Sequence, residues 1–344
     1  MIVESVEPLS IKNAKLLGKT TALFQIEAQQ EILDLMKLQQ SWLKKLDPVF
    51  PHRLEQEIEI YSSIPSRPLA KKPLATQKFA APRALIAAFY GTNSEYDMQN
   101  AFLENGAKAD ILLFRNLNQQ WIKQSTQALV NALNNSQIFV LPGGFSAGDE
   151  PDGAGKFITS VLKNFQIREA IDNFLARGGL ILGICNGFQA LIKSGLLGEE
   201  KIWDLTSNSP TLTFNPIGRH ISQMVSTKIV NNHSPWLTDF NIGDVFDIPV
   251  SHGEGRFYAD EITLKRLITN GQIATQYVNL QGEPTNEFCF NPNGSSLAIE
   301  GITSPCGQIF GKMGHSERYS RDIFKNCHGK HYQNIFANGV NYFK

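Results

Sequence analysis

This sequence has no excess of charge of either sign, no long apolar run and no closely spaced pair of cysteines. Its 344 residues carry 32 basic and 32 acidic side chains, so the charge balance favours neither nucleic acid nor an anionic membrane as a partner. No apolar run approaches the roughly 20 residues that span a bilayer, and the N-terminus lacks the charged and apolar regions of a secretory signal. We therefore expect a cytoplasmic protein that binds neither nucleic acid nor membrane.

Cysteine is scarce, and its spacing argues against two kinds of site. The four cysteines, Cys185, Cys289, Cys306 and Cys327, form no CxxC pair, which argues against a zinc site and against a disulfide framework. A Walker-type lysine signature is also missing, which disfavours phosphate binding of that kind. The sequence therefore predicts no bound metal and a reducing compartment.

Residues 1–80 differ in texture from the rest of the chain. Residues 16–28 alternate enough for a strand, residues 31–46 repeat apolar side chains at helical spacing, and residues 62–83 are rich in proline, lysine and serine without a period. A strand, a helix and an extended linker cannot enclose a core by themselves. We expect this N-terminal appendage to dock on the larger domain, residues 81–344.

Short apolar runs alternate with helical patterns from residue 83 to about residue 205. Runs of strand length, such as 84–90 and 180–185, are each followed by a helix-forming segment. This alternation is typical of an α/β fold in which helices cover both faces of a parallel sheet. After about residue 205 the pattern becomes β-rich, which predicts β-rich C-terminal insertions added to that sheet.

A lone cysteine, Cys185, stands between an apolar strand run and an amphipathic helix, with Gly183 and Gly187 two residues to either side. Small neighbours allow the sharp strand-to-helix turn that exposes a nucleophile. The N-terminus of the following helix would stabilise a thiolate there. Position alone leaves a second interpretation open, because a structural cysteine can also lie buried at the end of a strand.

Two further segments are expected at the same edge of the sheet, where ligands of open α/β sheets bind. Gly143 and Gly144 follow a strand and could present backbone N–H groups to an oxyanion, although a simple tight turn explains a Gly-Gly pair equally well. His315 and Glu317 follow another strand, and in extended backbone their side chains would share one side. A carboxylate can then orient the imidazole, as in a nucleophilic triad. The alternative for this pair is a polar surface loop.

The segments GICNGFQ, PGGFSAGDE and GHSER together resemble the class I, or triad-type, glutamine amidotransferase domain, whose sheet is flavodoxin-like. Within that family, PVSHGEGRF and PNGSSLAIEGITSPCGQIFGKMGHSERY are similar to the glutaminase of phosphoribosylformylglycinamidine synthase. The resemblance covers residues 83–344. Residues 1–80 are similar to the end of the synthetase region and the linker in the long, single-chain form of that enzyme, so we expect a fragment of a longer chain.

The resemblance implies a role for each matching residue. Cys185 would attack the side-chain amide of glutamine and form a γ-glutamyl thioester. His315 would carry the proton, and Glu317 would orient His315. The backbone N–H of Asn186, with one from the Gly143–Gly144 turn, would form the oxyanion hole.

Four more residues receive roles from the same resemblance. Gln189 falls where the family's C-x-G-x-Q motif places a side chain that binds glutamine, and His252, Glu254 and Arg256 fall in a loop that would help to position the substrate. One stretch departs from the pattern: FSAGDEPDGAG lacks the bulky aromatic that shorter, stand-alone subunits carry before Gly-Asp. The departure points to the long form rather than to a different activity.

The function that the resemblance implies is hydrolysis of L-glutamine to glutamate and ammonia. A synthetase domain or subunit of the same enzyme would use the ammonia to convert formylglycinamide ribonucleotide to its amidine. The glutaminase would need no cofactor, since ATP and Mg²⁺ belong to the synthetase partner. Two alternatives remain: a γ-glutamyl hydrolase or peptidase of the same fold, and a non-catalytic scaffold module of a synthetase.

Overall fold

The computed structural model describes residues 5–7, 10–28, 31–51, 54, 56–73, 77–148, 153–199, 201–202, 204–206, 208–321 and 323–344. The chain forms two compact units, Met1–Arg53 and Leu54–Lys344. The boundary between the two units follows Arg53, whereas the sequence pattern placed it at residue 80. The assignment of residues 1–80 to the end of a synthetase region stays a prediction. No helix among the described residues is long and apolar enough to cross a membrane.

The smaller unit contains a two-stranded antiparallel hairpin, β1 (Gln25–Ala28) and β2 (Glu31–Asp34), followed by the helix α1 (Leu35–Lys44). The helix predicted over residues 31–46 therefore begins four residues later than expected. Asp34 explains the start, because its carboxylate accepts hydrogen bonds from two amides of the first turn of α1. Residues 31–34 pair with the preceding strand instead of continuing the helix.

The larger unit continues the strand and helix numbering of the smaller one. Its strands are β3 (Arg83–Phe89), β4 (Lys108–Phe114), β5 (Ile138–Leu141), β6 (Leu180–Ile184), β7 (Thr211–Thr213), β8 (Ile221–Ile229), β9 (Val245–His252), β10 (Arg256–Tyr258), β11 (Ile273–Tyr277), β12 (Ile299–Thr303) and β13 (Ile309–Lys312). Its helices are α2 (Glu95–Glu104), α3 (Gln119–Asn134), α4 (Lys156–Leu162), α5 (Phe165–Ala176), α6 (Asn186–Lys193), α7 (Leu196–Glu199), α8 (Glu261–Thr269) and α9 (Ile335–Asn341).

Within the described residues, nine strands form one mixed sheet in the order β4-β3-β5-β6-β13-β12-β11-β8-β9. The first five of these strands run parallel to one another, and each of the remaining four pairs antiparallel with its neighbour. The parallel half contains the strands predicted from the apolar runs. The β-rich C-terminal part extends the same sheet, and β7 and β10 form a separate two-stranded ribbon.

The strands in the middle of the sheet are buried on both faces, and their side chains are apolar except for Lys312 at the end of β13. Every residue of β5, β6 and β13 is buried, as expected for parallel strands that lie between two layers. Their apolar side chains join one core that also includes the inner faces of the flanking helices. This burial gives a rigid frame at the carboxyl ends of three adjacent parallel strands.

The helical pattern over residues 156–179 corresponds to two helices, α4 and α5, rather than to one. Asn164 separates them, because its side-chain oxygen accepts hydrogen bonds from the amides of Gln166 and Ile167 and so caps the start of α5. The sequence pattern is apolar at helical spacing on both sides of this residue, which is why the break was not predicted.

Residues 56–73 form an extended strap along the larger unit. Among the described residues, four backbone hydrogen bonds attach it to loops of that unit: Tyr61 to Pro284 (2.8 Å), Asn286 to Glu59 (3.2 Å), Ala70 to Asn270 (3.2 Å) and Lys71 to Pro305 (3.1 Å). Two glycines leave space for it, since a Cβ on Gly271 would lie 2.4 Å from the Arg67 carbonyl oxygen and one on Gly307 would lie 2.7 Å from Leu69 Cδ1. The strap is therefore part of the larger unit.

A chain that begins at residue 81 is expected to be less stable than one that begins at residue 54. The shorter chain loses the strap and its hydrogen bonds, and it exposes the surface that the strap covers, so we expect a loss of about 2–4 kcal/mol in the free energy of unfolding. Urea unfolding of the two chains measures the difference. Equal unfolding midpoints would show that the strap contributes nothing to this unit.

Candidate active site

Three segments of the larger unit meet at the carboxyl ends of β5, β6 and β13. Gly143 and Gly144 follow β5, Cys185 follows β6, and the turn containing His315 and Glu317 follows β13. The three strands are neighbours in the parallel half of the sheet. Their order in space thus brings together segments that lie up to about 170 residues apart in sequence, at the edge where ligands of such sheets bind.

Cys185 lies on a strained turn between β6 and α6. Its backbone φ is 52° and ψ is −105°, a conformation that residues with a side chain rarely adopt. Both flanking glycines are required by packing, because a Cβ on Gly187 would lie 1.9 Å from the Leu141 carbonyl oxygen and one on Gly183 would lie 2.5 Å from Leu191 Cδ1. The geometry is that of a nucleophile elbow.

The His315–Glu317 pair is made by a turn rather than by the extended backbone that the spacing suggested. Residues Ser316–Arg318 form a single 3-10 turn, and His315 precedes it. The Nδ1 atom of His315 lies 2.5 Å from Oε1 of Glu317, and both side chains are buried. Since a carboxylate only accepts, Nδ1 carries the hydrogen and Nε2 is the nitrogen available to exchange a proton.

The thiol of Cys185 and the imidazole of His315 are electrostatically coupled. Burial lowers the pKa of His315, but the charge of Glu317 and that of a Cys185 thiolate outweigh it and raise the pKa to about 9. Within the described residues Nε2 has no hydrogen-bond partner of ordinary geometry, and the thiol donates to the Ser251 carbonyl oxygen at 3.5 Å. For Glu317, burial opposes ionisation, yet the charge of His315 lowers the pKa of the carboxyl below its ordinary value.

The Gly143–Gly144 turn lies against the imidazole. A Cβ on Gly143 would lie 2.7 Å from Cε1 of His315 and 3.1 Å from Oγ of Ser94, so only glycine fits there. Gly144 has φ of 145°, and a Cβ on it would lie 2.6 Å from the Gly91 carbonyl oxygen. The turn predicted as part of an oxyanion hole is thus held in contact with the His315 ring.

Asn186 and Gln189 connect the elbow to two loops. Nδ2 of Asn186 donates to Oε1 of Gln189 at 2.9 Å, and its Oδ1 accepts from the amide of Ser146 at 3.2 Å. Gln189 also donates through Nε2 to the carbonyl oxygen of Glu254. An amide side chain has two donors and two acceptor sites, so these bonds orient Gln189 without using its full capacity.

Glu254 and Arg256 stabilise the loops around the site through different partners. Both carboxylate oxygens of Glu254 lie 3.0 Å from the amide of Ala154, and Nζ of Lys193 lies 3.3 Å from one of them. Nε of Arg256 donates at 3.2 Å to the carbonyl oxygen of Gly294. The described contacts of these two side chains are with loops, with α6 and with the ring of Tyr258 in β10, so a direct role toward substrate remains a prediction.

His252 is buried near His315, and its tautomer follows from Asn215. Nδ2 of Asn215 donates to the carbonyl oxygens of His252 and Arg219, at 2.8 and 3.2 Å, so its Oδ1 is the atom that accepts from the Gly255 amide at 3.1 Å. The same Oδ1 lies 3.2 Å from Nδ1 of His252, which must therefore donate. In the neutral ring Nε2 is then an acceptor, and it has no hydrogen-bond partner among the described residues.

The buried imidazole of His252 should make the fold sensitive to acid. Burial, followed by the positive charges of His315 and His220, lowers its pKa from 6.5 to about 3. The unfolded state therefore binds a proton first as pH falls, and the contribution of neutral His252 to stability is complete above about pH 6.5 and is lost toward pH 3. In His252→Asn, urea unfolding between pH 6 and 4 should show a pH slope smaller by about 1.4 kcal/mol per pH unit. Exposed His233→Asn is the control, and an unchanged slope in His252→Asn would contradict the assignment.

Several residues of the site carry no recognisable signal in the sequence. Asn215 and Ser94 lie in loops, and their contacts with His252 and Gly143 arise only in the folded chain. Lys312 and Glu300, a buried pair beneath the His315 turn, give no such signal either. Among the described residues no group of three or more His, Cys, Asp or Glu side chains could hold a metal ion.

Comparison with known families matches residues 81–343 to the CobB/CobQ-like glutamine amidotransferase domain. The chain belongs to this glutamine amidotransferase family. The family match spans all three segments that meet at the carboxyl ends of the strands, and it confirms the resemblance that the sequence motifs indicated.

Individual relatives show which enzyme of this family the chain is similar to. The phosphoribosylformylglycinamidine synthase subunit PurQ of Methanococcus maripaludis is 35% identical over 238 residues, which are 69% of this chain and 82% of that protein. The same subunit of Treponema denticola is 37% identical over 249 residues, 69% of this chain and 87% of that protein. The structure of PurLQS from Thermotoga maritima matches with a TM-score of 0.56 and 27% identity, over 77% of this chain and all of that chain. The predicted fold class, an α/β glutamine amidotransferase sheet, is confirmed.

Proposed function

We infer that this chain is the glutaminase of a phosphoribosylformylglycinamidine synthase. It hydrolyses L-glutamine to glutamate and ammonia, and the ammonia serves the ATP-dependent synthesis of formylglycinamidine ribonucleotide. The observation that supports this function best is the 2.5 Å contact between Nδ1 of His315 and Oε1 of Glu317. The same imidazole interacts electrostatically with Cys185 on its elbow. The chain that carries this arrangement belongs to the glutamine amidotransferase family. The roles of individual residues are our proposal.

In the first half of the reaction, the sulfur of Cys185 attacks the carboxamide carbon of glutamine. The thiol proton passes to Nε2 of His315, and the negative charge that develops on the amide oxygen is stabilised by backbone N–H groups of Asn186 and of the Gly143–Gly144 turn. The C–N bond then breaks as His315 returns the proton to the leaving nitrogen. Ammonia departs, and a γ-glutamyl thioester remains on the sulfur.

In the second half, water replaces ammonia. His315 takes a proton from the water as its oxygen attacks the thioester carbonyl, and the same N–H groups stabilise the second oxyanion. The C–S bond breaks, the sulfur recovers a proton from His315, and glutamate leaves. Glu317 keeps the hydrogen of His315 on Nδ1 in both halves, so that Nε2 faces the reacting atoms.

Substrate positioning is assigned to residues next to the elbow. Gln189 is oriented by Asn186 and by the backbone of Glu254, so its remaining donor and acceptor sites can bind glutamine. His252 offers an acceptor at Nε2 beside His315. Glu254 and Arg256 act through the loops that they connect.

The partner that we propose is a synthetase domain or subunit of the same enzyme, which supplies the sites for ATP and Mg²⁺. The glutaminase itself uses no cofactor in this scheme. Ammonia released into water would be protonated and lost as a nucleophile, so docking should enclose its exit. We place the reaction in the cytoplasm, which is supported by the fact that none of the four cysteines, all within the described residues, forms a disulfide.

Transfer of the amide nitrogen tests this function. The chain is mixed with the synthetase component, ATP, Mg²⁺, formylglycinamide ribonucleotide and glutamine labelled with ¹⁵N in its amide. The label is expected in the amidine product, and glutamine hydrolysis is expected to accelerate when the synthetase is present. Preferential cleavage of γ-glutamyl peptides with no label transfer would favour the hydrolase alternative. Complete absence of hydrolysis with intact synthesis from ammonium would favour a scaffold.

A further inference from the structure

Lys312 and Glu300 form an ion pair within the core of the larger unit, beneath the turn that carries His315. Nζ of Lys312 lies 3.4 Å from Oε1 of Glu300, and neither side chain is accessible to solvent. Lys312 ends β13, and Glu300 lies on the antiparallel neighbour β12. Such a pair is expensive to bury, and apolar side chains of similar size would often give equal or greater stability.

The ammonium group of Lys312 holds both residues that flank His315. It donates to the carbonyl oxygen of Gly314 at 3.0 Å and to Oγ of Ser316 at 2.9 Å. With Glu300 as the third partner, all three of its donors are used. The hydroxyl of Ser316 in turn donates to Oε1 of Gln333 at 2.7 Å, so the direction of each bond in this chain is determined.

Glu300 binds the same turn from the opposite side. Its Oε1 accepts from the amide of Gly314 at 2.6 Å, and its Oε2 accepts from the hydroxyl of Thr275. Gly314 has no room for a side chain, because a Cβ there would lie 2.2 Å from Cδ1 of Ile248. The peptide groups on both sides of Gly314 are therefore bound by the two members of one ion pair.

The backbone of Lys312 reaches the nucleophile. Its carbonyl oxygen accepts from the amide of Cys185 at 2.9 Å, while its side chain holds the Gly314 and Ser316 positions. One residue thus connects the elbow to the segment that carries His315 and Glu317. A displacement of about 1 Å between nucleophile and base can lower an enzyme rate by about a hundredfold.

We propose that Lys312 and Glu300 are positioning residues that set the place of the His315 imidazole relative to Cys185. This inference rests on the proposed function. It adds to that function two residues that touch neither the substrate nor the reacting atoms and that act through the Gly314–Ser316 backbone and the Ser316 hydroxyl.

The test is the double variant Lys312→Met/Glu300→Gln, which removes both charges and keeps an acceptor for the Gly314 amide. We expect a folded protein whose kcat for glutamine falls by about 10–100-fold while KM changes less than about twofold. A kcat within twofold of the wild type would overturn the proposal, because the pair would then be only structural. Lys163→Met, which breaks the exposed Lys163–Asp204 pair (2.8 Å), is the matched control and should leave kcat unchanged.

A milder variant decides the matter if the double variant does not fold. Ser316→Ala removes one acceptor of the Lys312 ammonium, and we expect kcat to fall by about 3–10-fold at unchanged KM; an unchanged kcat would overturn the proposal.

The rate at which iodoacetamide alkylates Cys185 gives a second readout, which does not require glutamine. If the wild type fails to hydrolyse glutamine, the proposed function fails, while slower alkylation in the variants still supports positioning and equal alkylation overturns it.

Discussion

Replacement of Cys185 by alanine is expected to lower glutamine hydrolysis by at least about four orders of magnitude. No other described group at the elbow can form the thioester, because the sulfur is the atom that the turn presents between β6 and α6. The fold should persist, since alanine keeps the Cβ and therefore adds no strain at φ of 52°. Among the described interactions, the substitution removes the 3.5 Å hydrogen bond to the Ser251 carbonyl oxygen and the interaction of the sulfur with the His315 imidazole.

The experiment measures glutamate release and, separately, amidine synthesis with ammonium salt in place of glutamine. In Cys185→Ala the first rate should vanish and the second should be preserved, because ammonia supplied from outside does not need the glutaminase. Cys306→Ala is the matched control, since Cys306 is also buried but precedes β13 at the end away from the triad. Retention of even about 1% of glutamine hydrolysis would show that the reaction does not pass through this sulfur.

The parallel half of the fold could be predicted because its signals are local. The runs at 84–90 and 180–185 are apolar throughout, as strands buried on both faces must be, and helical segments follow them. The break at Asn164 could not be predicted, because a capping asparagine inside an apolar helical pattern resembles any exposed polar residue. The start of α1 at Leu35 depends on pairing with β1, which no helical period reveals.

The residues of the site likewise fall into two groups, those with a local sequence signal and those without one. Cys185 with its two glycines is visible from the local pattern. Its meeting with His315, 130 residues later, was expected because both residues follow strands of one sheet, and their catalytic roles came from the family resemblance. Contacts such as Asn215 with His252, or Lys312 with Glu300, join residues on different elements. They are decided by strand order and register, and a single sequence does not contain that information in readable form.

Glu317→Gln is expected to lower kcat by about 10²–10⁴-fold while leaving the elbow intact. The wild-type carboxylate can only accept from Nδ1 of His315, so in the neutral ring Nε2 presents its lone pair to the thiol. A glutamine amide can instead donate to Nδ1, which moves the hydrogen of the neutral ring to Nε2 and removes the base. The carboxylate charge that stabilises the imidazolium is lost as well.

The same substitution should be visible in the titration of His315. Burial lowers the pKa of this imidazole, and the charge of Glu317 is the strongest of the effects that raise it to about 9. Without that charge the pKa must fall below the wild-type value, so the ring loses its proton at lower pH. Nitrogen NMR of protein labelled in its imidazole rings measures the shift, with exposed Glu169→Gln on α5 as the control. An unchanged titration together with an unchanged kcat would mean that Glu317 does not orient the base.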